Sequence, residues 1–149
     1  MPSIDDIVKS NFPNDKARLV ANLVYTVGWI NNIMNEALKP YGVSMQQYNI
    51  LSILRGQGEW AKMSLVKERM IQDSPNATRM SDKLLKKGLI ERKRGEEDRR
   101  VVYVRITLEG KKLLEELDKA DNKLKEAMKE RLTNKDAKEM SRILDAFRG

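Results

Sequence analysis

A stretch of polar and cationic residues between positions 74 and 100 contains the side-chain types that bind duplex DNA. In the major groove an arginine can donate two hydrogen bonds to guanine and an asparagine can pair with adenine, so Arg79 and Asn76 are candidate base-reading residues. Hydroxyl groups and the free N–H groups at a helix start suit phosphate oxygens instead. Arginines farther along the chain are candidates for an adjacent minor groove. The candidate DNA-binding residues are Ser74, Asn76, Thr78, Arg79, Ser81, Lys83, Arg94, Arg99 and Arg100.

The positive charge of the chain is concentrated in the same stretch. The 149 residues include 29 Lys and Arg against 22 Asp and Glu, a formal net charge of +7. Between Arg79 and Arg105, ten cationic and five anionic side chains give +5 within 27 residues. Positive charge at this density releases counterions from a duplex and makes binding strongly salt-dependent. A run of Lys and Arg taken alone is equally compatible with a solvated surface, so the prediction depends on the neighbouring polar residues as well.

The absence of two residue types excludes most catalytic and metal chemistry. The sequence has no Cys and no His. It therefore forms no disulfide, thiolate metal site or thiol redox switch, and it holds no Ser-His-Asp or Cys-His nucleophile pair. An enzyme would depend on carboxylates and lysines alone. The acidic residues of the 96–98 turn are expected on an exposed turn rather than in a cleft, so burial does not adapt them to catalysis. We expect no enzymatic activity, no cofactor and no metal site.

Hydrophobic runs are too short for a membrane protein. None approaches the ~18 residues that a spanning helix needs. The first nine residues include acidic side chains and lack the apolar segment of a signal peptide. The sequence predicts a cytoplasmic protein without membrane contact.

The candidate residues lie on a predicted helix and on a predicted hairpin. The helix begins at Ser74, with proline in its first turn, and ends near Gly88. A short strand is predicted over residues 89–94 and a second over 102–106, where Val102, Val104 and Ile106 alternate with Tyr103 and Arg105, and the two strands enclose a polar turn. In that turn Asp98 is expected to pair with Arg99 or Arg100 and hold the turn in shape.

Other helices surround this pair of elements. Apolar spacing of three and four predicts a helix over residues 14–39. Ser44 and Gln47 fit a capping box, Ser64 is a candidate N-cap for a helix that runs to Met70, and one helix is predicted from 107 to about 132. Thr133 with Asp136 caps a last helix.

The fold prediction is a single, mainly α domain over residues 1–149. It has a winged helix-turn-helix lobe at about 41–107 with a two-stranded β-wing, flanked by N- and C-terminal dimerisation helices at about 1–40 and 108–149.

The terminal helices carry more apolar side chains than a small lobe can cover. A bundle of terminal helices from two chains would bury them, whereas the alternative is a helical core within one chain. A two-fold dimer predicts half-sites about one helical turn, ~10 bp, apart. The apolar residues concerned are Ile4, Ile7, Val8, Phe12, Leu117, Leu124, Met128, Met140, Ile143, Leu144 and Phe147.

A second group of aromatic and methionine residues is a candidate ligand site. Such side chains make adaptable apolar walls, and these lie on the first long helix and at the start of the next. A plain core is the alternative interpretation of the same stripe. The candidate pocket residues, placed at the junction of the two lobes, are Tyr25, Trp29, Met34, Met45 and Tyr48.

Taken in order, these segments resemble the MarR family of transcriptional regulators. The stretch 74–92 resembles the recognition helix and first wing strand of that family, and Asp98-Arg99-Arg100 matches its wing signature. Residues 106–110 resemble its LT-x-x-G start of the dimerisation helix, with Ile106 in place of leucine, and residues 42–51 resemble its first DNA-binding helix. The similarity covers essentially the whole chain in order and spacing.

The resemblance implies a homodimeric transcription factor, usually a repressor, on a pseudo-palindromic operator in double-stranded DNA. It implies that a wing arginine, here among Arg94, Arg99 and Arg100, enters the minor groove. It also implies release from DNA by a small aromatic or phenolic ligand. Cysteine- and histidine-based sensing, known in some members, is excluded by composition. A different interpretation of the same residues is a winged-helix module whose basic wing binds protein or RNA.

Overall fold

A computed structural model describes residues 2–71, 75–120 and 122–149. The helices in these ranges are α1 (Ile4–Val8), α2 (Asp15–Leu38), α3 (Met45–Gln57), α4 (Met63–Arg69), α5 (Ala77–Lys86), α6 (Leu108–Lys119), α7 (Lys123–Arg131) and α8 (Asn134–Arg148), and a 3-10 turn spans Lys39–Tyr41. The strands are β1 (Ala61–Lys62), β2 (Ile90–Arg94) and β3 (Val102–Ile106). The predicted mainly α, winged-helix fold class is confirmed. None of the helices in the described ranges combines the length and apolar character needed to cross a bilayer.

Side-chain caps set the start of several helices. Ser44 Oγ accepts from the Gln47 N–H at 3.2 Å, and Gln47 Oε1 accepts in return from the Ser44 N–H at 3.0 Å. Thr133 and Asp136 make the same reciprocal pair at the start of α8. Both predicted capping boxes are therefore present. Each satisfies N–H groups that a helix start leaves without a partner.

Two predicted helix boundaries outside α5 are wrong. The helix expected over 107–132 is two helices, because the chain leaves helical geometry at Ala120 and Asn122 caps a new start, its Oδ1 accepting from two backbone N–H groups at 3.0 Å. The N-cap of α4 is Lys62, so Ser64 lies inside the first turn.

The sheet contains a strand that the sequence pattern did not predict. The two residues of β1 pair antiparallel with β3 in the order β1-β3-β2, with Ala61 opposite Val104 and Lys62 opposite Tyr103. The hairpin itself pairs from Ile90 opposite Ile106 to Arg94 opposite Val102. The wing is thus a two-stranded ribbon whose strand β3 also pairs, at its middle, with a third, short strand.

The chain forms two compact units, and the first is the lobe that carries the wing. This lobe spans Asn35–Ala120 and therefore includes α6, which the sequence analysis assigned to the dimerisation helices. Its core is built from α3, α4, α5, α6 and the sheet, and Leu117 belongs to it. The fully buried side chains of this core include Ile50, Leu51, Leu54, Val66, Leu84, Val104 and Leu114.

The second unit contains residues 1–34 and 121–149, with α1, most of α2, α7 and α8. An ion pair between Asp5 and Arg18 joins α1 to α2. Ile4 is buried, whereas large apolar side chains elsewhere in the unit stay in solvent, with Val24 69% and Phe147 64% exposed. This unit leaves an apolar surface without cover in a single chain.

Candidate nucleic-acid interface

Helix α5 divides its side chains between the core and solvent. Ala77, Ser81 and Leu84 are buried, at intervals of four and three residues. On the opposite side, Arg79 and Lys83 are exposed. Helical spacing aligns residues three and four positions apart, so these cations form one exposed row. The amphipathic pattern of the helix thereby presents its positive charge to solvent.

The start of α5 differs from the prediction. The helix begins at Ala77, while Pro75 and Asn76 lie in a turn before it. Ser74, the predicted first residue, lies outside the described residues. Asn76 occupies the N-cap position with φ −97° and ψ 11°, and among the described residues its side chain makes no capping hydrogen bond. The exposed amide of Asn76 therefore does not cap the helix and can bind a ligand.

The other polar candidates on α5 separate by burial. Thr78 is exposed, whereas Ser81 is only 3% exposed, although it borders the groove between α4, α5 and the wing. A base edge cannot reach a hydroxyl at that depth without moving the helix. Direct base contact is therefore assigned to exposed residues of α5 and not to Ser81.

Hydrogen bonds within the wing turn hold two of its arginines. Asp98 accepts from the Arg100 backbone N–H at 3.0 Å and from Arg100 Nε and Nη2 at 3.1 Å. Arg94 Nη1 donates to the Arg99 carbonyl at 2.9 Å. The side chain of Arg100 is nevertheless 91% exposed. The turn therefore projects a guanidinium into solvent while fixing its direction.

The charge state of the turn follows from the same contacts. The side-chain hydrogen bonds of Arg100, and then its backbone N–H, hold the pKa of the Asp98 carboxyl below its usual value. The same pairing raises the pKa of the Arg100 guanidinium. Hydrogen bonds to a charged form favour that form, so both groups are ionised at neutral pH.

Glycine closes the turn because a side chain does not fit. The Gly95 N–H donates to the Val101 carbonyl at 2.9 Å, and the Val101 N–H donates to the Asp98 carbonyl at 3.1 Å. A Cβ atom at position 95 would lie 2.6 Å from the Asp98 carbonyl oxygen. Real Cβ contacts are essentially never this short, so a side chain here would force the turn to shift.

An ion pair links the recognition-helix candidate to the wing. Arg92 Nη1 of β2 lies 2.5 Å from Asp82 Oδ1 of α5, and both side chains are partly exposed. Exposed ion pairs contribute little to stability, about 0–1 kcal/mol. The consequence is geometric, since the pair connects the two elements that carry the DNA-binding candidates.

Between α4, α5 and the wing lies an open groove of about 460 Å³ with a basic lining. Among the described residues that line it none is acidic, and Thr78 and Arg100 belong to it. Hydroxyl and cationic groups in a concave surface match the oxygens of a phosphate backbone. The polar lining residues are Lys62, Ser64, Lys67, Thr78, Ser81, Arg92 and Arg100.

Four of these lining residues, Lys62, Ser64, Lys67 and Arg92, were not among the sequence candidates. Lys62 reaches the groove because β1 pairs with β3, and that pairing has no local signal. Ser64 and Lys67 lie in α4, the helix before the helix-turn-helix turn. The first helix of such motifs crosses the phosphate backbone, which is the signal that could have identified them.

The predicted pocket residues fall in different units. Tyr25, Trp29 and Met34 belong to the unit of terminal helices. Met45 and Tyr48 belong to the wing-bearing lobe and pack against its hydrophobic core. The ligand pocket therefore stays a prediction.

Comparisons with known proteins agree on one family. The family model described as MarR matches residues 43–102. The multiple antibiotic resistance protein MarR of Salmonella typhimurium is 30% identical over 117 residues, which cover 78% of this chain and 76% of the relative. The HTH-type transcriptional regulator YdgJ of Bacillus subtilis is 29% identical over 128 residues, which cover 85% of this chain and 76% of the relative.

Solved structures show the same fold. A mutant E. coli MarR in complex with operator DNA superposes with a TM-score of 0.73 at 24% identity, covering 93% of this chain and 99% of that one. An organohalide-sensing regulator in a 2,4-dichlorophenol-bound form gives a TM-score of 0.78 at 17% identity, covering 91% of this chain and 80% of that one. At these identities the likeness concerns architecture.

Proposed function

The chain belongs to the MarR family of transcriptional regulators, and we propose that it acts as a homodimeric repressor on a pseudo-palindromic operator in duplex DNA. The observation that carries this proposal is that the exposed cations of α5, the basic groove and the arginines of the wing turn lie next to one another in one lobe. The E. coli relative bound to operator DNA supports it. The proposed site is built from Asn76, Thr78 and Arg79 on one side and Arg94, Arg99 and Arg100 on the other.

Base reading is assigned to the start of α5. Arg79 and Asn76 are exposed at the first turn, where recognition helices contact base edges. A guanidinium can bind guanine with two hydrogen bonds, and an amide can do the same with adenine. Each such contact contributes about 1–3 kcal/mol of discrimination against a wrong base. Lys83, one turn farther along, is assigned to phosphate.

The groove and the wing provide the remaining contacts. A phosphate in the groove meets Lys62, Lys67 and the hydroxyl of Thr78. Arg100, exposed and oriented by Asp98, enters the minor groove, whose negative potential favours arginine. Arg99 flanks it in the same exposed turn.

Dimerisation is assigned to the terminal helices. The unit of residues 1–34 and 121–149 leaves large apolar side chains exposed, among them Val24, Val27, Met140 and Phe147 at 51–69%. Exposed apolar patches of this kind mark interaction surfaces. A second copy is the proposed occupant, and its two-fold axis would set half-sites about 10 bp apart.

Release by a small aromatic or phenolic ligand is the finer part of the proposal. The candidate residues are Tyr25, Trp29, Met34, Met45 and Tyr48, and a regulator of similar fold has been solved with a dichlorophenol bound. A ligand switches DNA binding only if it favours one conformation over another. Isothermal titration with salicylate and chlorinated phenols tests this. An absence of binding heat at millimolar ligand would contradict release by such a ligand.

Selection of bound duplexes from a random pool tests the proposed function. We expect a two-fold symmetric sequence, bound with an affinity that falls steeply as salt is raised. Arg79→Ala should weaken binding by about 1–3 kcal/mol and relax preference at one position of each half-site. Lys112→Ala on α6, which removes one exposed positive charge from the same lobe outside the proposed site, should leave affinity within about twofold.

The competing interpretation is a basic wing that docks on protein or RNA. It predicts uniform, weak binding to any polyanion and no enriched sequence from the pool. Equal affinity for heparin and for duplex of any sequence would favour that interpretation and overturn the proposal.

A further inference from the structure

Trp60 contacts both strands of the wing through its ring. The guanidinium carbon of Arg105 on β3 lies 4.6 Å from the ring centroid, and Lys93 Nζ on β2 lies 4.5 Å from it. Both distances are within the roughly 6 Å over which a cation is attracted to an aromatic face. One indole therefore holds a cation from each of two adjacent strands.

The pairing register explains why these three residues meet. Ala61 pairs with Val104, so Trp60, one residue earlier, lies level with Arg105. Glu91 is the partner of Arg105, and Lys93 lies two residues farther along the same strand. Side chains alternate between faces along a strand, which puts Trp60, Lys93 and Arg105 on one face of the sheet.

The opposite face of the sheet is the one that packs on the core. Ile90, Val104 and Ile106 are buried there, at 0–6% exposure. Ile90 and Ile106 pair at the base of the hairpin and Val104 pairs with Arg92 in its middle, whereas all residues of β2 beyond Ile90 are exposed. Core packing thus holds β3, whose Val102 also packs against the core, and leaves β2 beyond Ile90 to other contacts.

The edge strand β2 is therefore where an additional contact matters. A two-stranded ribbon is marginally stable alone, and β1 pairs with β3, at Val104 and Tyr103, on the side away from β2. The Trp60 ring extends this support across β3 to Lys93 of β2, the residue directly before Arg94. The ion pair of Arg105 with Glu91, 2.6 Å long, fixes the other cation in place.

We propose that Trp60 is a positioning residue for DNA binding, which holds the wing ribbon at a fixed angle so that Arg94, Arg99 and Arg100 reach the minor groove. Trp60 itself touches no DNA in this account and acts through the two strands that it joins. The proposal rests on the proposed function for its consequence in DNA binding. The claim that Trp60 holds the two wing strands together applies to the DNA-free protein as well.

Three substitutions distinguish the cation–π contacts of the Trp60 ring from simple apolar packing by its side chain. Trp60→Phe keeps a ring face for the two cations, Trp60→Leu keeps an apolar side chain without a ring, and Trp60→Ala removes both. Ile53→Ala, a partly buried α3 residue packed against the same core, is the control for general loss of packing. Thermal unfolding establishes that each variant is folded at the assay temperature.

The first readout is amide hydrogen exchange of the DNA-free, full-length protein. Trp60→Ala and Trp60→Leu should speed the exchange of backbone amides in β2 beyond Arg92 and in the paired residues Val102 and Tyr103 of β3. In Trp60→Phe the exchange rates should stay close to those of the wild type. Unchanged exchange in Trp60→Ala, or equal exchange in the Leu and Phe variants, overturns the proposal. This readout does not depend on whether the wild type binds DNA.

The second readout is binding to the duplex selected with the wild-type protein. Loss of two cation–π contacts should weaken binding about tenfold in Trp60→Ala, with hydroxyl-radical protection lost over the flanking minor grooves and kept over the half-site centres. Ile53→Ala should alter both regions equally, if at all. Uniform weakening in Trp60→Ala contradicts the proposal. A wild-type protein without any footprint contradicts the proposed function and leaves the exchange result standing.

Discussion

Gly110 lies where α6 crosses the start of the wing, and adding one methyl group there should destabilise the lobe. A Cβ at position 110 would lie 2.4 Å from the Leu89 carbonyl oxygen and 2.7 Å from Ile106 Cγ1. The same carbonyl accepts from the Thr107 backbone N–H at 3.0 Å. Gly110→Ala therefore collides with an atom that is already hydrogen-bonded, on backbone that cannot rotate away.

The size of the effect follows from three contributions. Reaching the shortest realistic Cβ contact, 3.0 Å, requires at least 0.6 Å of displacement between α6 and the start of the wing. Overpacking of this kind costs about 1–3 kcal/mol, and loss of the Thr107 hydrogen bond costs about 1 kcal/mol. Alanine regains about 1 kcal/mol through its higher helix propensity. The expected net loss is about 2 kcal/mol.

Thermal unfolding at one fixed protein concentration measures this loss, because a dimer is more stable at higher concentration. For a chain of this size the midpoint should fall by about 6 °C. The matched control is Gly56→Ala in α3, whose added Cβ meets no atom within 4 Å. It should raise stability by up to about 1 kcal/mol. If both variants are stabilised alike, the close crossing of α6 over the wing is refuted.

Three further changes test other parts of the structure. Asp82→Asn removes an acid from the proposed DNA surface and frees Arg92; it should tighten binding to non-specific duplex severalfold in fluorescence anisotropy, with under about 1 kcal/mol change in stability. Asp98→Asn should weaken operator binding severalfold. Because the pKa of Asp98 is lowered below its usual 3.8 in the folded chain, its contribution is complete above that value and lost only as pH falls through the lowered pKa. Binding measured from pH 5 to 8 should therefore show no step from this group. Asn122→Ala removes the cap of α7 and should cost about 1 kcal/mol in urea unfolding.

Local interactions made most helix starts predictable. The capping boxes of Ser44 with Gln47 and of Thr133 with Asp136 involve residues three apart, so the sequence contains the whole interaction. Gly58 ends α3 with φ +74°, in the left-handed conformation that glycine adopts at a helix end. Signals that span a single turn need no knowledge of the fold.

Non-local pairing explains what was missed. The strand β1 is two residues long and exists because it pairs with β3, more than forty residues later in the printed sequence. The break at Ala120 was hidden by apolar spacing that continues across it. Asn122 was its one local signal, as a residue type that favours helix starts.

The site was predictable in its residue types and not in its geometry. The exposed row of Arg79 and Lys83 follows from helical spacing, whereas the burial of Ser81 depends on which side of α5 faces the core. The groove lining and the contacts of Trp60 depend on β1, so neither can be derived without the tertiary fold.

The most direct measurement of the central claim is a hydroxyl-radical footprint of the full-length protein on its selected duplex. Two protected regions centred about one helical turn apart, each flanked by a protected minor groove, are the predicted result. Loss of the flanking protection alone in Arg100→Ala would assign it to the wing. A single region without symmetry, or protection independent of sequence, would contradict the account of a two-fold regulator that reads DNA with α5 and the wing.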